Sequence, residues 1–354
     1  MTVRGARIAG ASLALCLIAA CDPVGGGTKT DESSAERISA ALDVCADGRG
    51  AFAQNVCANR VLAGLDNQVR EGLVAEAAEV SDAGAAMLVQ NQNRWREAAR
   101  ISCGLAADAE PTRDQQACLE GQFRARAQSV RDAVQQIGGY TFQRMELIDA
   151  APVTAAMASS LGDAAPPAVM RDIRFPRIDG PQTPAIQRFN DLVAQSPQFR
   201  LEDATNETVD YRIAYAGPEL ISVRFDLASD MLGAAHGSFT SKAVNVMMQE
   251  GRPLTDADVF RAGSGWQRFL TQRAVRDIAQ QFREDNFTPP ERDVRESVTK
   301  PHLWLISEQG LTLLFPPYSF GAPYVMGGAE VSIPWADLRP YLNPAAPAPI
   351  RPSA

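Results

Sequence analysis

The positions of the cysteines constrain the fold of this chain more than any other feature. Apart from two near the N-terminus they are Cys45, Cys57, Cys103 and Cys118, and no cysteine follows Cys118. Four cysteines in an oxidising compartment predict two disulfides, for which three pairings exist. We favour Cys45 with Cys57 and Cys103 with Cys118, because each of these pairs closes a short loop. The cysteine-containing part is therefore expected to form one module, and the cysteine-free remainder of the 354 residues another.

The N-terminus has the features of a secretory signal, which would deliver the chain to such a compartment. Arg4 and Arg7 precede an apolar stretch over residues 8–20 that is too short for a stable transmembrane helix. The stretch ends Leu-Ile-Ala-Ala before Cys21, which resembles a bacterial lipobox; an ordinary signal peptide with a chance cysteine is the alternative. We expect a signal peptide over residues 1–20, a diacylated Cys21 and a flexible tether over residues 21–35. The resemblance implies a protein anchored by lipid to the inner or outer membrane of a bacterial envelope, on the periplasmic side.

The charge balance excludes some classes of function. The formal net charge is −8, and it becomes −10 (32 minus 42) once residues 1–20, which hold two Arg and no acid, are removed. The chain has no cluster of Lys and Arg that could neutralise phosphates, so no nucleic-acid partner is expected. The only two histidines, His236 and His302, have no Cys or carboxylate partner at metal-ligand spacing. No metal or other cofactor is therefore predicted.

Residues 36–148 are predicted to form a small, disulfide-linked, all-α module. Apolar residues recur every three or four positions in three stripes, typical of short amphipathic helices. Ser81 or Asp82 could cap the second helix, and the Pro111-Thr112 pair the third. A segment rich in Ala, Pro and Ser follows, and it predicts a linker over residues 149–169.

Residues 170–342 are predicted to form an α+β module with an antiparallel sheet and packed helices. Apolar and polar residues alternate over residues 209–215 and 221–227, around a Gly-Pro turn, and shorter strands are predicted over 244–248, 303–306, 311–315 and 329–333. Two amphipathic helices are predicted over 185–193 and 266–282, the second after a Gly-Ser-Gly turn that supplies its N-cap. The tail over residues 343–354 is rich in proline and is predicted to be disordered.

The first module resembles the LprI-type family of periplasmic lysozyme inhibitors. The similarity covers about ninety residues and rests on the four cysteines and on further residues in the same order: Ala58-Asn59, Leu62, Leu65-Asp66, Gln92, Trp95, Leu119 and Arg126. The arginine that this family places four residues after the tryptophan is replaced by Ala99, with Arg100 next to it. The resemblance implies a helical fold that binds lysozyme.

The second module resembles the extracellular domain of RsiV-type anti-sigma factors, a domain also found in some polysaccharide deacetylases. The similarity rests on Gly233 to Gly237, Gly251 to Leu254, Asp258 to Phe260, Gly310 to Phe315, Tyr318, Gly327-Gly328, Ile333 to Trp335 and Leu338. In the anti-sigma factors this domain is a lysozyme receptor. Their sigma-binding segment and spanning helix have no counterpart here, so a transcriptional role is not expected.

The candidate partner-binding residues lie in the second module. They are His236, Asp226 and the aromatic residues Tyr318, Phe320 and Tyr324, the last three within a loop rich in Pro and Gly. Tyr is favoured as an interface anchor. The alternatives are a turn-stabilising role for His236 and core packing for the aromatic loop. No set of residues forms a catalytic constellation, and the chain is not expected to be an enzyme.

These observations predict an envelope lipoprotein that binds and inhibits lysozyme-type muramidases and so protects peptidoglycan. A net charge of −10 would attract a basic enzyme and raise the association rate. The alternative is a structural or sensing lipoprotein that contacts peptidoglycan without inhibiting any enzyme.

Overall fold

A computed structural model describes residues 34–47, 50–106, 110–195 and 204–351. The predicted signal peptide, Cys21 and the tether up to residue 33 lie outside these residues. Ser34 and Ala35, assigned to the tether from the sequence, instead open the first helix. None of the helices in the described ranges combines the length and the hydrophobicity needed to cross a membrane.

The first module is helical, as the spacing of its apolar residues predicts, but its described residues form six helices where three apolar stripes indicated three. They are α1 (Ser34–Leu42), α2 (Val44–Asp47), α3 (Ala51–Ala58), α4 (Arg60–Ala77), α5 (Asp82–Ser102) and α6 (Arg113–Ser129). The side chains of Asn59, Ser81 and Thr112 cap α4, α5 and α6, and Thr112 forms a reciprocal capping box with Gln115. Their buried faces form two small hydrophobic clusters, one around Phe123 and one around Leu73.

Two disulfides close short loops of this module, as predicted. Cys45 is bonded to Cys57 and Cys103 to Cys118, with Cα atoms 5.8 and 5.7 Å apart. The first ties α2 to α3, and the second ties the end of α5 to α6. A helical module with such small clusters depends on these covalent links for part of its stability.

The second module contains a seven-stranded sheet and a three-stranded sheet. The large sheet runs in the order β1 (Val134–Ile137), β2 (Tyr140–Pro152), β3 (Ala168–Ile178), β4 (Thr205–Ala216), β5 (Leu220–Met231), β6 (Ser238–Met247) and β7 (Arg252–Pro253). The small sheet has β9 (Gly310–Phe315) between β8 (Trp304–Ile306) and β10 (Ala329–Pro334). The helices are α7 (Ala155–Leu161), α8 (Pro184–Gln195), α9 (Asp256–Val259), α10 (Trp266–Gln281), α11 (Glu291–Val298) and α12 (Trp335–Leu338).

The two-module organisation, with an α+β second module, is confirmed, but the large sheet is mixed rather than antiparallel. β3 and β4 pair in parallel over residues 171–173 and 207–209, and every other pair is antiparallel. The parallel pair exists because the chain crosses over between these strands through α8, whose residues Phe189 and Val193 are buried against the sheet. Parallel strands require such a crossover.

The boundary predicted between the modules is wrong. Residues 134–152 form β1 and β2 of the large sheet instead of continuing the helical module to residue 148. The segment 149–169 is not a linker, because β2 pairs with β3 up to Pro152 and Ala168, and α7 lies in the connection between them. The low charge of that connection resembles linker composition, but the strands on both sides of it belong to one hairpin.

The prediction of a disordered tail is also wrong for the residues that the structure describes, which end at Arg351. Ala346 and Ile350 are fully buried in the cluster formed by the small sheet, α10 and α11. The side-chain amide of Asn343 donates to the carbonyl of Ala257 at 2.8 Å, and Arg351 pairs with Glu219 at 2.7 Å. Prolines remove backbone hydrogen-bond donors from the tail, but they do not prevent the side chains of Ala346 and Ile350 from packing in the core.

The two modules meet at a buried charge cluster formed by Arg126, Glu146 and Arg144. Arg126 of α6 contacts Glu146 of β2 at 2.8 Å, and Arg144 donates to the same carboxylate at 2.9 Å. The Nε of Arg126 also donates to Gln92 of α5 at 2.9 Å. Burial alone would raise the pKa of Glu146, but the two guanidinium groups hold it below its usual range.

Replacing Glu146 by Gln is predicted to destabilise the whole chain. The variant Glu146→Gln leaves Arg126 buried beside a neutral amide, and losing one partner of a buried pair costs about 3–5 kcal/mol of unfolding free energy. Urea unfolding measures this loss. Glu120→Gln serves as the control, because Glu120 pairs with the largely exposed Arg124 and should cost no more than about 1 kcal/mol. Equal effects of the two substitutions would contradict the prediction.

Candidate functional site

The residues that carry the resemblance in the helical module are mostly buried and serve its fold. Asp66 is 3% exposed and accepts a hydrogen bond from Arg96 at 3.0 Å, while Arg96 also donates to the carbonyl of Leu42. Trp95 packs edge-on against Phe123 at 4.9 Å. The guanidinium of Arg126 lies 5.6 Å from the centre of the Trp95 ring. The motif residues therefore pack and form ion pairs inside the helical module, and they expose little surface to a partner.

The position where the sequence departs from the LprI-type pattern is buried as well. Ala99 is 1% exposed and packs in the cluster around Phe123. Its neighbour Arg100 donates two hydrogen bonds to Glu97 and one to the carbonyl of Leu105. Arg100 therefore stabilises the end of α5 and does not occupy the place of the missing arginine.

One motif of the second module is also explained by its fold. Asp258 accepts two hydrogen bonds from Arg252, both at 2.7 Å, and two more from the backbone N–H and the hydroxyl of Thr255, both at 2.8 Å. The hydrogen bonds from Arg252 are the main cause that lowers the pKa of Asp258 to about 2. The residues Gly251 to Phe260 thus form a capped turn that joins β7 to α9.

Two loops of the second module bring together three aromatic side chains, of which His236 and Tyr318 are exposed and Tyr324 is half-buried. The loop between β9 and β10 carries Tyr318 and Tyr324, whose rings are 5.7 Å apart, and the loop between β5 and β6 carries His236. The imidazole of His236 stacks on the ring of Tyr324 at 4.6 Å and an interplanar angle of 18°. The Nδ1 of His236 lies 2.8 Å from the carbonyl oxygen of Gly237. His236 therefore has the turn contact considered from the sequence and is exposed at the same time.

Two apolar residues that the sequence analysis did not select extend this surface. Val325, next to Tyr324, is 89% exposed, and Phe239 at the start of β6 is 42% exposed. Phe239 lines a cavity of 140 Å³ together with Pro316 and Gly328 of the β9–β10 loop. In the sequence, each of them is an apolar residue near a glycine. A search for periodic apolar positions does not detect such residues. We name His236, Phe239, Tyr318, Tyr324 and Val325 the aromatic surface.

Phe320, selected as a binding residue from the sequence, is a core residue. It is fully buried and contacts the rings of Phe282, Phe287 and Phe315 at 5.8–6.2 Å. The physical reason is local, because Ser297 donates to the carbonyl of Ser319 at 2.8 Å and so turns this part of the loop inward. Phe320 therefore anchors the loop that presents the two tyrosines.

Three residues of the β9–β10 loop, Tyr318, Gly321 and Gly327, have a positive φ. Tyr318 has φ of 68°, which is uncommon for an aromatic residue, and Gly321 has φ of 78°. A side chain at Gly321 would lie 2.7 Å from Pro290. Strained backbone persists where the surrounding structure fixes it, and here the buried Phe320 does so. The aromatic surface is thus held in place before any partner arrives.

Asp226 lies at the edge of this surface in a network with Arg224, Ser241 and Glu330. Arg224 of β5 donates to Asp226 at 2.8 Å and to Glu330 of β10 at 2.5 Å, and the hydroxyl of Ser241 donates to Asp226 at 2.6 Å. Burial would lower the pKa of Arg224, but its bonds to the two carboxylates hold it above the usual value. The carboxylates of Asp226 and Glu330 remain 38% and 48% exposed. The network connects the two sheets and leaves acidic groups beside the aromatic residues.

The described residues contain no group of three or more His, Cys, Asp or Glu side chains arranged to hold a metal ion. The candidate site therefore consists of aromatic rings, apolar side chains and a few carboxylates. Such a surface can exclude water from a contact with another molecule and can select its charge.

Comparison with known proteins finds one family model that is similar to part of the second module. Residues 257–336 match DUF3298, described as a protein of unknown function. The match begins within α9 and ends within α12, so it includes β8, β9, β10 and the loop with Tyr318 and Tyr324. No curated protein matches the chain.

Two solved structures of DUF3298 proteins are similar to this chain. One, from Bacteroides fragilis, is 17% identical and covers 59% of this chain and 96% of its own, with a TM-score of 0.38. The other, from Pseudomonas aeruginosa, is 13% identical and covers 62% of this chain and all of its own, with a TM-score of 0.42.

The capped turn that contains Asp258 yields a pH-dependent prediction. Asp258 has a folded-state pKa of about 2, below the value of about 3.9 for an unfolded aspartate. Its stabilising effect is therefore complete above pH 4 and is lost as the pH falls towards 2. Asp258→Asn should lower the unfolding free energy by about 1–2 kcal/mol at pH 7.

Urea unfolding of both proteins from pH 2 to pH 7 measures this difference. Asp256→Asn is the control, because the capping bonds belong to Asp258 and not to Asp256. A difference between the wild type and Asp258→Asn that stays constant down to pH 2 would be inconsistent with the prediction.

Proposed function

We propose that this chain is an envelope lipoprotein that binds lysozyme-type muramidases through the aromatic surface and so protects peptidoglycan. The observation that carries the proposal is the grouping of exposed aromatic and apolar side chains on two loops of an acidic chain. Val325 is 89% and Tyr318 63% exposed, whereas large apolar side chains usually avoid water unless they contact a partner. Both family resemblances, to LprI-type inhibitors and to RsiV-type receptors, point to lysozyme.

The geometry of the aromatic surface suits an interface of this kind. The ring of Tyr324 stacks on His236 and contacts the tilted ring of Tyr318, so these rings lose little conformational freedom on binding. Tyrosine combines a large apolar area with a hydroxyl that can form hydrogen bonds, and it is frequent among the residues that dominate binding energy. In this proposal, the contacts of these rings determine how slowly the complex with the muramidase dissociates.

The charge of the chain favours a basic partner. The net charge of −8 over the full sequence, and the carboxylates of Asp226 and Glu330 beside the surface, attract a basic enzyme at long range. Such attraction acts mainly on the association rate and is screened by salt. The motif residues Asp66, Trp95 and Arg126 of the helical module contribute to its fold in this proposal, so the second module provides the main contact.

Alanine substitutions at the two tyrosines are predicted to weaken the binding of a basic lysozyme at least tenfold. Titration calorimetry of purified residues 34–354 against the enzyme, together with a muramidase assay, measures this effect. Val61→Ala, at a residue that is 47% exposed on α4, is the control and should change the affinity less than twofold. Raising the salt concentration from about 50 to 500 mM should slow association much more than it speeds dissociation.

Two results would contradict parts of the proposal. The absence of binding at low salt, with muramidase activity unchanged, would refute the function. Binding that Tyr318→Ala and Tyr324→Ala leave unchanged would refute the assignment to the aromatic surface and would direct attention to the helical module.

A further inference from the structure

The cavity at Phe239 is part of the aromatic surface and has the size of a single side chain. Its apolar walls come from Phe239, which is 42% exposed, from Pro316 of the β9–β10 loop, and from the buried residues Leu314, Phe315 and Ala329. The volume is 140 Å³, whereas sites for small-molecule ligands usually measure about 300–1,000 Å³. The cavity therefore suits one side chain of a partner protein better than a separate ligand.

The charged groups at this cavity are negative on balance. Arg224, Glu330 and Ser241 line it, and the hydroxyl of Ser241 donates to Asp226 at 2.6 Å. Arg224 donates to Asp226 at 2.8 Å and to Glu330 at 2.5 Å. One guanidinium is thus shared by two carboxylates, and the network of one positive and two negative groups has a net charge of −1.

Glu330 has one oxygen available for a further donor. Its Oε1 accepts from Arg224, and among the described residues no donor contacts its Oε2. Its side chain is 48% exposed. Three other cations of the second module, Arg212, Lys242 and Lys300, line two separate cavities. The charge of Glu330 is therefore only partly compensated.

A partner that covers the aromatic surface also removes these carboxylates from water. An ionised carboxylate is costly to bury unless a positive charge pairs with it. An apolar side chain in the cavity would leave Oε2 of Glu330 without a donor, whereas an ammonium or a guanidinium supplies one. Lys and Arg also have apolar stems that pack well against apolar walls, such as those of Phe239 and Pro316. Both parts of the cavity thus favour a basic side chain.

We propose that the cavity at Phe239 receives one lysine or arginine side chain of the partner protein. The stem packs against Phe239 and Pro316, and the charged group pairs with Glu330. The exposed ring of Phe239 adds a cation–π contact. The cavity then selects a basic partner at short range, in addition to the long-range attraction by the acidic chain. This inference deepens the proposed function and rests on it for the identity of the partner as a muramidase.

Small cations test the cavity without any partner protein. The probes n-butylammonium and n-butylguanidinium carry the stem and the charge of lysine and arginine, and n-butanol is the neutral control. NMR titration of the purified protein, followed at the ring signals of Phe239, should give a Kd at least fivefold lower for one or both cations than for butanol. Glu330→Gln should remove this preference, because it removes the charge with little change in shape.

Double-mutant cycles test the same contact with a basic lysozyme. Each Lys and Arg of the lysozyme is replaced by Ala in turn, and each variant is titrated against the wild type and against Glu330→Gln. One basic residue should lose at least tenfold in affinity against the wild type and less than threefold against Glu330→Gln. Glu120→Gln is the control, because it removes the same charge from α6, where Glu120 pairs with Arg124. It should leave every alanine effect unchanged within twofold.

The two experiments separate this inference from the proposed function. Equal binding of butanol and of both cations to the wild type would overturn the inference, and that result does not depend on how any variant folds. Muramidase binding in which no basic residue is coupled to Glu330 would overturn it as well. If the wild type binds no muramidase, the proposed function fails, and the preference for the small cations then decides whether the cavity selects a basic side chain.

Discussion

Strand β2 is buried on both faces, and the structure depends on how the charges on one of those faces are compensated. Met145 and Leu147 pack against the core beneath α8, whereas Ile148 packs against the helical module. Between these apolar contacts lies the cluster of Arg126, Glu146 and Arg144. Two guanidinium groups on one carboxylate leave a net positive charge. The side-chain oxygen of Gln92 accepts a further hydrogen bond from Arg126, and the carbonyl of Ser129 accepts one from Arg144. Without these contacts the helices could not cover the sheet.

This shared strand makes the two modules one folding unit, although each resembles a separate family. A second contact holds them together, because Asp179 after β3 accepts hydrogen bonds from the backbone and the hydroxyl of Ser81, the N-cap of α5. Many of the motif residues are thereby explained by folding: Asp66 with Arg96, Trp95 with Arg126, and Arg252 with Asp258. The aromatic surface lies outside these contacts and is not explained by them.

The sequence predicts those elements whose surroundings are simple. β4 and β5 alternate between apolar and polar residues along much of their length, and the short loops between paired cysteines predict the disulfides. β2 was not predicted because its charged residues point into the protein, where Arg126 compensates the charge of Glu146. The alternation of polar and apolar residues therefore does not distinguish the buried face of this strand from an exposed one. The aromatic loop shows the same difficulty at the level of single residues. Tyr318, Phe320 and Tyr324 occur in similar Pro- and Gly-rich surroundings, and only the fold determines that Phe320 is buried. The aromatic loop and His236 could be selected from the sequence, whereas Phe239 and Val325 were missed and the buried Phe320 could not be distinguished from the two tyrosines.

The position of the aromatic surface relative to the edge of β6 is fixed by Arg224. This side chain, 13% exposed, bonds to Asp226 on its own strand and to Glu330 on β10, and Asp226 in turn accepts from Ser241 on β6. One guanidinium thus joins three strands from both sheets. Because β10 follows the loop that carries Tyr318, the loop cannot move away from β6 without breaking a bond to a largely buried charge, which is costly. A molecule that contacts Tyr318 therefore meets Phe239 at the start of β6 at a fixed distance.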